Sequence, residues 1–379
     1  MTLTSKQHAE SMSGYIEEGR KRALALGNRG PIRFEGDGRL HRDITDAFSR
    51  QGFYVFTGVI DKQELNDLKK EVNFALEHAP VANNSKLDQK GRTALGSDLK
   101  IPPFYLVSPL GDPVGGTSHN GGRHPVRMTT PEPEPKSPSK VVQVIFGTLH
   151  LLDSCLRLYG HPRLLRVAEA INGPDFTPIN EAIFIKQPGL GAAVAWHQDG
   201  TTHWGSFDLD EGTHGFNFMV QLYGSTAANA VWLVPGSHKQ GKVDIASLTQ
   251  ADGDRIANAV PMISDPGDVV MCNRQTVHGS FANTSKDWRV SVGYGFHRKK
   301  SVVGANAKLL NGDILNYDEY RVHQRSRIIP IAIDARAQRY TSEQRYSYLP
   351  FAGLEDENRF NEDTRRNILK NYNLLDLHI

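Results

Sequence analysis

The chain has 379 residues, 39% of them hydrophobic, and carries a formal charge of +2 from 44 Lys and Arg against 42 Asp and Glu. This length allows one large or two ordinary domains, and the balanced charge gives no global field that would attract nucleic acid or an anionic membrane. No apolar run approaches the ~20 residues of a membrane span, so we expect neither nucleic acid nor a membrane as a partner.

The two cysteines and the two ends of the sequence bear on the compartment. Cys155 and Cys272 have no metal-type spacing and indicate two free thiols in a reducing environment. No apolar signal segment follows Met1, and the last three residues, ending in Ile379, are no peroxisomal tripeptide. A cytoplasmic location is therefore expected.

The N-terminal part is predicted to be an extension followed by a strand and a helix. Residues 1–40 are polar and rich in glycine, which indicates an N-terminal extension. Residues 52–59 are typical of a strand. Asp61 is then a helix cap, and apolar residues at helical spacing predict an amphipathic helix that includes Leu65, Leu68, Val72 and Leu76.

The next stretch is predicted to be a long loop followed by helices. Residues 80–140 show weak periodicity, and the prolines between 131 and 138 oppose regular pairing. A segment of this kind is typical of a loop region or lid. Apolar spacing turns helical over 144–159, and a further short helix is predicted over 161–172.

The remaining elements indicate an all-β core with a C-terminal extension. Short β-rich runs separated by Gly, Pro and Asn are typical of a jelly roll, and they cover 182–185, 193–196, 216–223, 230–234, 268–272 and 289–296. Beyond residue 299 the chain is polar, and 361–369 predicts a terminal helix. We therefore expect a core over 41–299, which includes the loop or lid, and an extension over 300–379 packed on it.

A metal site is indicated inside this β region. Residues i and i+2 of a strand point to the same side, so His197 and Asp199 can reach one ion while Gln198 faces away. A second imidazole follows at His278. Two imidazoles and one carboxylate are the ligand set of a non-haem Fe(II) site with open positions. Arg289, eleven residues after His278, can hold a dicarboxylate beside the metal.

These residues carry a family resemblance. The segment 196–200 resembles the metal-binding strand end of the phytanoyl-CoA dioxygenase family, which comprises Fe(II)/2-oxoglutarate oxygenases. The Pro-Gly-Ser-His turn at 234–238, the Gly-Asp step at 266–270 and the opening strand at 51–60 are also similar, so the likeness spans about 41–299. Ser280 and Arg289 stand two and eleven residues after His278, the spacing at which the family binds 2-oxoglutarate.

The resemblance implies a fold and several roles. The fold is mainly β with flanking helices around a double-stranded β-helix of the jelly-roll or cupin type. Ser280 and Arg289 would grip the far carboxylate of 2-oxoglutarate, and Asn180 resembles the position of a polar amide over the same co-substrate. Taken alone, an arginine such as Arg289 would more often be a surface or structural residue. Gln198, Trp204 and Phe218 are candidate substrate contacts, although aromatic residues in a barrel more often serve packing.

The expected function is an Fe(II)- and 2-oxoglutarate-dependent dioxygenase that oxidises an unactivated C–H of a small organic metabolite. Succinate and CO2 would be released, O2 consumed, and ascorbate would support activity. Hydroxylation is the default outcome, with desaturation, epoxidation or rearrangement open, whereas Asp199 leaves no vacant site for halide. The alternative is a metal-binding β-barrel enzyme that is no oxygenase, such as an isomerase or a hydrolase, which would not need Arg289 at this spacing.

Overall fold

Most of the predicted strands and helices are present in the computed structural model, which describes residues 3–179, 181–200, 214–249, 253–308 and 314–369. The helices are α1 (Ser5–Ala25), α2 (Arg42–Gln51), α3 (Lys62–Glu77), α4 (Thr148–Leu151), α5 (Asp153–Tyr159), α6 (Pro162–Asn172), α7 (Ile245–Leu248), α8 (Glu319–Ser326), α9 (Ile328–Arg339) and α10 (Glu362–Leu369). The strands are β1 (Arg29–Gly30), β2 (Phe53–Phe56), β3 (Phe104–Val107), β4 (Val141–Phe146), β5 (Thr177–Pro178), β6 (Ala182–Lys186), β7 (Val194–His197), β8 (Gly215–Gln221), β9 (Trp232–Leu233), β10 (Val260–Pro261), β11 (Val269–Asn273), β12 (His278–Ser280), β13 (Arg289–His297), β14 (Asn306–Lys308) and β15 (Ile314–Asn316).

The core strands alternate between two facing sheets. In the described residues the large sheet runs β1-β2-β11-β8-β13-β6-β4-β3, with β5 beside β13, and the small sheet runs β10-β9-β12-β7. Pairings within both sheets are antiparallel except β1 with β2. From β6 onward the chain enters the large sheet with β6, β8, β11 and β13 and the small sheet with β7, β9, β10 and β12. This is a double-stranded β-helix with flanking helices, and the predicted fold is confirmed.

The large sheet separates a packed core from an inner cavity. Along β8, Phe216, Phe218 and Val220 are fully buried in the main hydrophobic core, together with residues of α5, α6 and α9. Asn217 and Met219, one position along, face the cavity between the sheets. The strand period of two therefore sorts one strand into a packing face and a site face. Burying each core aromatic contributes roughly 1.5–3 kcal/mol.

Residues 1–40 are not merely a polar extension, because they include the 21-residue helix α1. Thr4 and Gln7 form a reciprocal capping box at its start. The helix covers the small sheet, and the Tyr15 ring stacks on Trp232 with centroids 4.5 Å apart. Gly19 is required at this contact, since a Cβ there would lie 2.3 Å from the Trp232 ring.

The helical prediction over 144–159 is wrong at its start. Val141–Phe146 form β4, which pairs with β3 on one side and β6 on the other. Its run of Val and Ile is buried on both faces, and a continuous apolar run does not distinguish a central strand from a helix. Helices α4 and α5 occupy the rest of the segment, while the predicted helices over 161–172 and 361–369 are present as α6 and α10.

The C-terminal helices share the main core. Buried residues of α9 and α10, among them Ile329 and Ile368, belong to the same hydrophobic cluster as the large sheet. Arg336 of α9 forms a bidentate ion pair with Glu64 of α3, with Nη1–Oε1 and Nη2–Oε2 distances of 2.6 and 3.0 Å. Cys155 and Cys272 are free and buried, as predicted. Across the described ranges, no helix is both long and apolar enough to cross a bilayer.

Candidate active site

The two histidines of the predicted metal site lie on neighbouring strands of the small sheet. His197 ends β7 and His278 begins β12, and the two residues are direct partners in the antiparallel register. Directly opposed side chains in such a pair have Cβ atoms about 5 Å apart. The rings accordingly lie with centroids 4.1 Å apart.

Asp199 completes the group just beyond the end of β7. Its Oδ1 lies 3.8 Å from His197 Nε2 and its Oδ2 lies 3.9 Å from His278 Nε2. Its backbone N–H donates to the Arg274 carbonyl over 2.9 Å, which fixes the chain after the strand. One ligand atom from each of the three residues lies within 4.8 Å of the others.

Backbone contacts orient both imidazoles towards this centre. Nδ1 of His197 lies 2.8 Å from the Ala195 carbonyl oxygen, and Nδ1 of His278 lies 2.9 Å from that of Thr276. A carbonyl can only accept, so each Nδ1 carries the proton and each Nε2 presents its lone pair. This is the tautomer that a metal ion needs.

The charges of the site residues also suit the binding of a metal cation. Burial opposes ionisation of Asp199, but the positive charge of Arg123, with a further contribution from Arg274, offsets that cost and holds the pKa of this carboxyl well below its usual range. Burial, with the neighbouring His278, keeps the pKa of His197 well below its usual value, so the ring stays neutral. Two imidazoles and one carboxylate fit Fe(II) or a related first-row divalent ion.

Arg289 lies in the same cavity, and two of its donor atoms lack the partners that a buried guanidinium ordinarily has. The residue is 2% exposed at the start of β13, and its Nε and Nη1 make no hydrogen bond to any residue that the structure describes. Burial lowers the pKa of Arg289 to about 10, which leaves it charged at neutral pH. Buried N–H donors without acceptors are costly, and a carboxylate would satisfy two of them at once. Ser280, also buried, lines the same cavity.

The cavity between the sheets has a volume of about 280 Å³. Besides the site residues it is lined by apolar side chains, among them Val144, Phe146, Phe184, Val194, Met219 and Tyr294. Polar groups are contributed by Gln143, Asn217 and Asn273. Among the described residues, Asp199 is the only acidic side chain in the lining. A mostly apolar cavity with a few convergent polar groups is typical of small-molecule sites.

Two residues that the sequence analysis missed reach the metal site from the loop region 80–140. Arg123 Nη1 donates to Asp199 Oδ1 over 2.9 Å. The His124 ring lies against His197 with centroids 4.4 Å apart. Burial, reinforced by the charge of Arg123, lowers the pKa of His124 to about 3, and its Nδ1 has no hydrogen-bond partner among the described residues.

The predicted substrate contacts are not supported by this geometry. Gln198 points away from the cavity, where its amide nitrogen donates to the Gly241 and Gln275 carbonyls and its oxygen accepts from the Val243 N–H. Phe218 lies on the packing face of β8, against Phe216, Tyr294 and Phe296. Both corrections follow from the strand period, which turns these side chains away from the ligand face. Asn180 and Trp204 lie outside the described residues.

Comparisons with known proteins indicate which family this site resembles. A model of the family described as phytanoyl-CoA dioxygenase (PhyH) matches residues 140–291. A phytanoyl-CoA dioxygenase of Arabidopsis thaliana is 22% identical over 269 residues, covering 66% of this chain and 87% of the relative. A phytanoyl-CoA dioxygenase domain-containing protein 1 homolog of Caenorhabditis elegans is 23% identical over 208 residues, covering 52% of this chain and 65% of the relative.

Solved structures with a related shape include EctD from S. alaskensis with 2-oxoglutarate and 5-hydroxyectoine. It is 18% identical, with a TM-score of 0.49, and the match covers 71% of this chain and 80% of that chain. The non-heme alpha ketoglutarate dependent epimerase SnoN from nogalamycin biosynthesis is 17% identical, with a TM-score of 0.42, and the match covers 68% of this chain and 82% of that chain.

A His-Asp-His group that could hold a metal ion in a double-stranded β-helix, together with the family match over residues 140–291, indicates an oxygenase-type enzyme of the iron- and 2-oxoglutarate-dependent class. The matched segment includes all three candidate metal ligands and both Ser280 and Arg289. The predicted resemblance to the phytanoyl-CoA dioxygenase family is confirmed over this segment.

Proposed function

We propose that this protein is an Fe(II)- and 2-oxoglutarate-dependent dioxygenase that hydroxylates a C–H bond of a small organic metabolite. One observation carries the proposal: the convergent His197, Asp199 and His278 share a cavity with the Arg289 guanidinium, whose Nε and Nη1 have no partner within the described part of the chain. A triad alone would serve several metal enzymes. A buried cation with free donors in the same cavity requires an anionic ligand in addition.

The protein supplies orientation and charge. His197 and His278 would present Nε2 to the metal because their Nδ1 protons are held by backbone carbonyls. Asp199, ionised at neutral pH, would be the anionic ligand. Arg289 would bind the far carboxylate of 2-oxoglutarate with two parallel N–H donors, assisted by the Ser280 hydroxyl.

The bound cofactors would supply the oxidation itself: 2-oxoglutarate and O2 become succinate and CO2, and one oxygen atom enters the substrate C–H bond. The remaining apolar lining, including Val144, Phe146 and Met219, would hold the carbon to be oxidised and exclude water from it. A cavity of about 280 Å³ favours a small substrate, since part of that space would hold the co-substrate.

The test is succinate release from 2-oxoglutarate by enzyme loaded with Fe(II) in the presence of ascorbate. We expect slow release without substrate and faster release with the correct member of a metabolite panel. His278→Ala and chelator-treated enzyme serve as controls and should release none. Metal-loaded wild-type enzyme that hydrolyses or isomerises a substrate without consuming 2-oxoglutarate would overturn the proposal in favour of a metal enzyme that is no oxygenase.

A further inference from the structure

A cation from outside the family-matched segment contacts one of the candidate metal ligands. Arg123 Nη1 donates to Asp199 Oδ1 at 2.9 Å, and the two side chains are only 21% and 15% exposed. Arg123 precedes residues 140–291, so the family match assigns it nothing. Partly buried charge pairs are screened less than pairs at the surface, so this contact is stronger than an exposed ion pair would be.

The loop around Arg123 is built to hold this contact. The carboxylate of Asp112 accepts N–H bonds from Gly115 at 2.9 Å and Met128 at 2.7 Å. The Gly116 N–H donates to the His124 carbonyl at 2.8 Å, and the Ala193 N–H donates to the Gly111 carbonyl at 2.8 Å. These bonds close the loop on itself and tie it to the residue before β7, the strand that carries His197.

Consecutive loop residues thereby touch two of the three candidate ligands. Arg123 holds the Asp199 carboxylate, and His124 packs on the ring of His197. A carboxylate turns about its last bond unless a partner fixes it. Arg123 donates to Oδ1, which lies 3.8 Å from His197 Nε2, and in this orientation Oδ2 lies 3.9 Å from His278 Nε2.

We propose that Arg123 is a positioning residue for the metal centre, which fixes the orientation of the Asp199 carboxylate between the two imidazoles. The inference rests on the proposed function for its catalytic consequence. The expected effect on metal binding depends only on the observed contact between Arg123 and Asp199. Partners of metal ligands affect metal affinity or activity by about 10- to 100-fold.

The experiment titrates the whole protein with Mn(II), which is stable in air, and compares Arg123→Gln, Arg123→Lys and the control Arg127→Gln. Arg127 lies in the same loop and is exposed. We expect Arg123→Gln to weaken Mn(II) binding by about 10- to 100-fold. Arg123→Lys should recover part of the loss because an ammonium group can still donate to one carboxylate oxygen. Arg127→Gln should match the wild type.

Two further readouts separate positioning from a general loss of structure. At saturating Mn(II), the affinity of Arg123→Gln for 2-oxoglutarate and its melting temperature should both equal those of the wild type, because Arg289 and the core are unaffected. Succinate release by the Fe(II) enzyme should fall in parallel with metal affinity. Arg123→Lys should be intermediate in Mn(II) affinity and in succinate release.

Tighter Mn(II) binding by Arg123→Gln would overturn the proposal, because it would mean that Arg123 competes with the metal for Asp199. Unchanged Mn(II) binding would overturn it as well. If the wild type binds Mn(II) but releases no succinate under any condition, the proposed function fails. The role of Arg123 is then decided by the Mn(II) titration alone.

Discussion

His197 and His278 face each other across two antiparallel strands, with ring centroids 4.1 Å apart and ring planes at 48°. The pairing of β7 with β12 therefore brings together two imidazoles that are 81 residues apart in the chain. Each ring is held through its own strand, at the carbonyl two residues earlier. The strand register, rather than a flexible loop, sets the distance between the two histidines.

The first test removes one imidazole at a time. His197→Ala and His278→Ala should each lose saturable Mn(II) binding at concentrations that load the wild type, because one imidazole and a carboxylate make too weak a site. Isothermal titration calorimetry measures this directly. His119→Ala, an exposed histidine of the loop region, is the matched control and should bind normally. Stoichiometric, tight Mn(II) binding by His278→Ala would refute the ligand assignment.

The second test concerns the co-substrate. Arg289→Ala should weaken 2-oxoglutarate binding to the Mn(II) enzyme by ~2–5 kcal/mol, the usual penalty for breaking a buried charge pair. Mn(II) affinity should stay close to that of the wild type, because Arg289 is not one of the three ligands. Arg289→Lys should recover only part of the loss, since an ammonium group cannot reproduce a two-pronged contact. Unaltered 2-oxoglutarate affinity in Arg289→Ala would make this arginine structural.

The sequence predicts those parts of the candidate site whose geometry is local. His197 and Asp199 are two residues apart, as are His278 and Ser280, so strand periodicity puts each pair on one face. Arg289 lies on β13 of the large sheet, and its role is indicated by the family spacing rather than by periodicity. The same periodicity could have excluded Phe218, since its neighbours Asn217 and Met219 occupy the site face.

Arg123 and His124 could not be predicted in this way. They lie in a segment rich in Gly and Pro, which has no strand or helix periodicity from which the direction of a side chain could be predicted. Their partners are also more than 70 residues away in the sequence. Helix α1 is a different case. The capping pair Thr4 and Gln7 could have predicted its start. The many polar residues and glycines of the segment instead favoured an extension without a helix.

A third test asks what holds the C-terminal helices on the core. Glu64→Gln should lower the free energy of unfolding by about 3 kcal/mol, because it leaves the buried Arg336 without one of its carboxylates. Chemical denaturation measures the loss. The control is Asp67→Asn, which removes the more exposed pair of Asp67 with Arg339 between the same two helices and should cost less than about 1 kcal/mol. Equal losses in the two variants would show that the buried pair has no special role.

The last test uses His238, whose Nε2 lies 3.1 Å from the Ser49 carbonyl oxygen. Burial lowers the pKa of His238 to about 4 from an ordinary value of 6.5, against the opposing effect of that hydrogen bond. Between pH 6.5 and 4 the unfolded chain therefore takes up a proton that the folded protein does not. The stability contributed by the neutral ring is fully present above pH 6.5 and is lost as the pH falls, by at most ~1.4 kcal/mol per pH unit.

His238→Gln removes this titration while its amide can still donate to Ser49. The variant should lose stability less steeply than the wild type between pH 6.5 and 4, and the difference between them should approach ~3 kcal/mol at pH 4. Urea denaturation at half-unit pH steps measures both slopes. Identical slopes for His238→Gln and the wild type would mean that His238 is not held neutral by the fold.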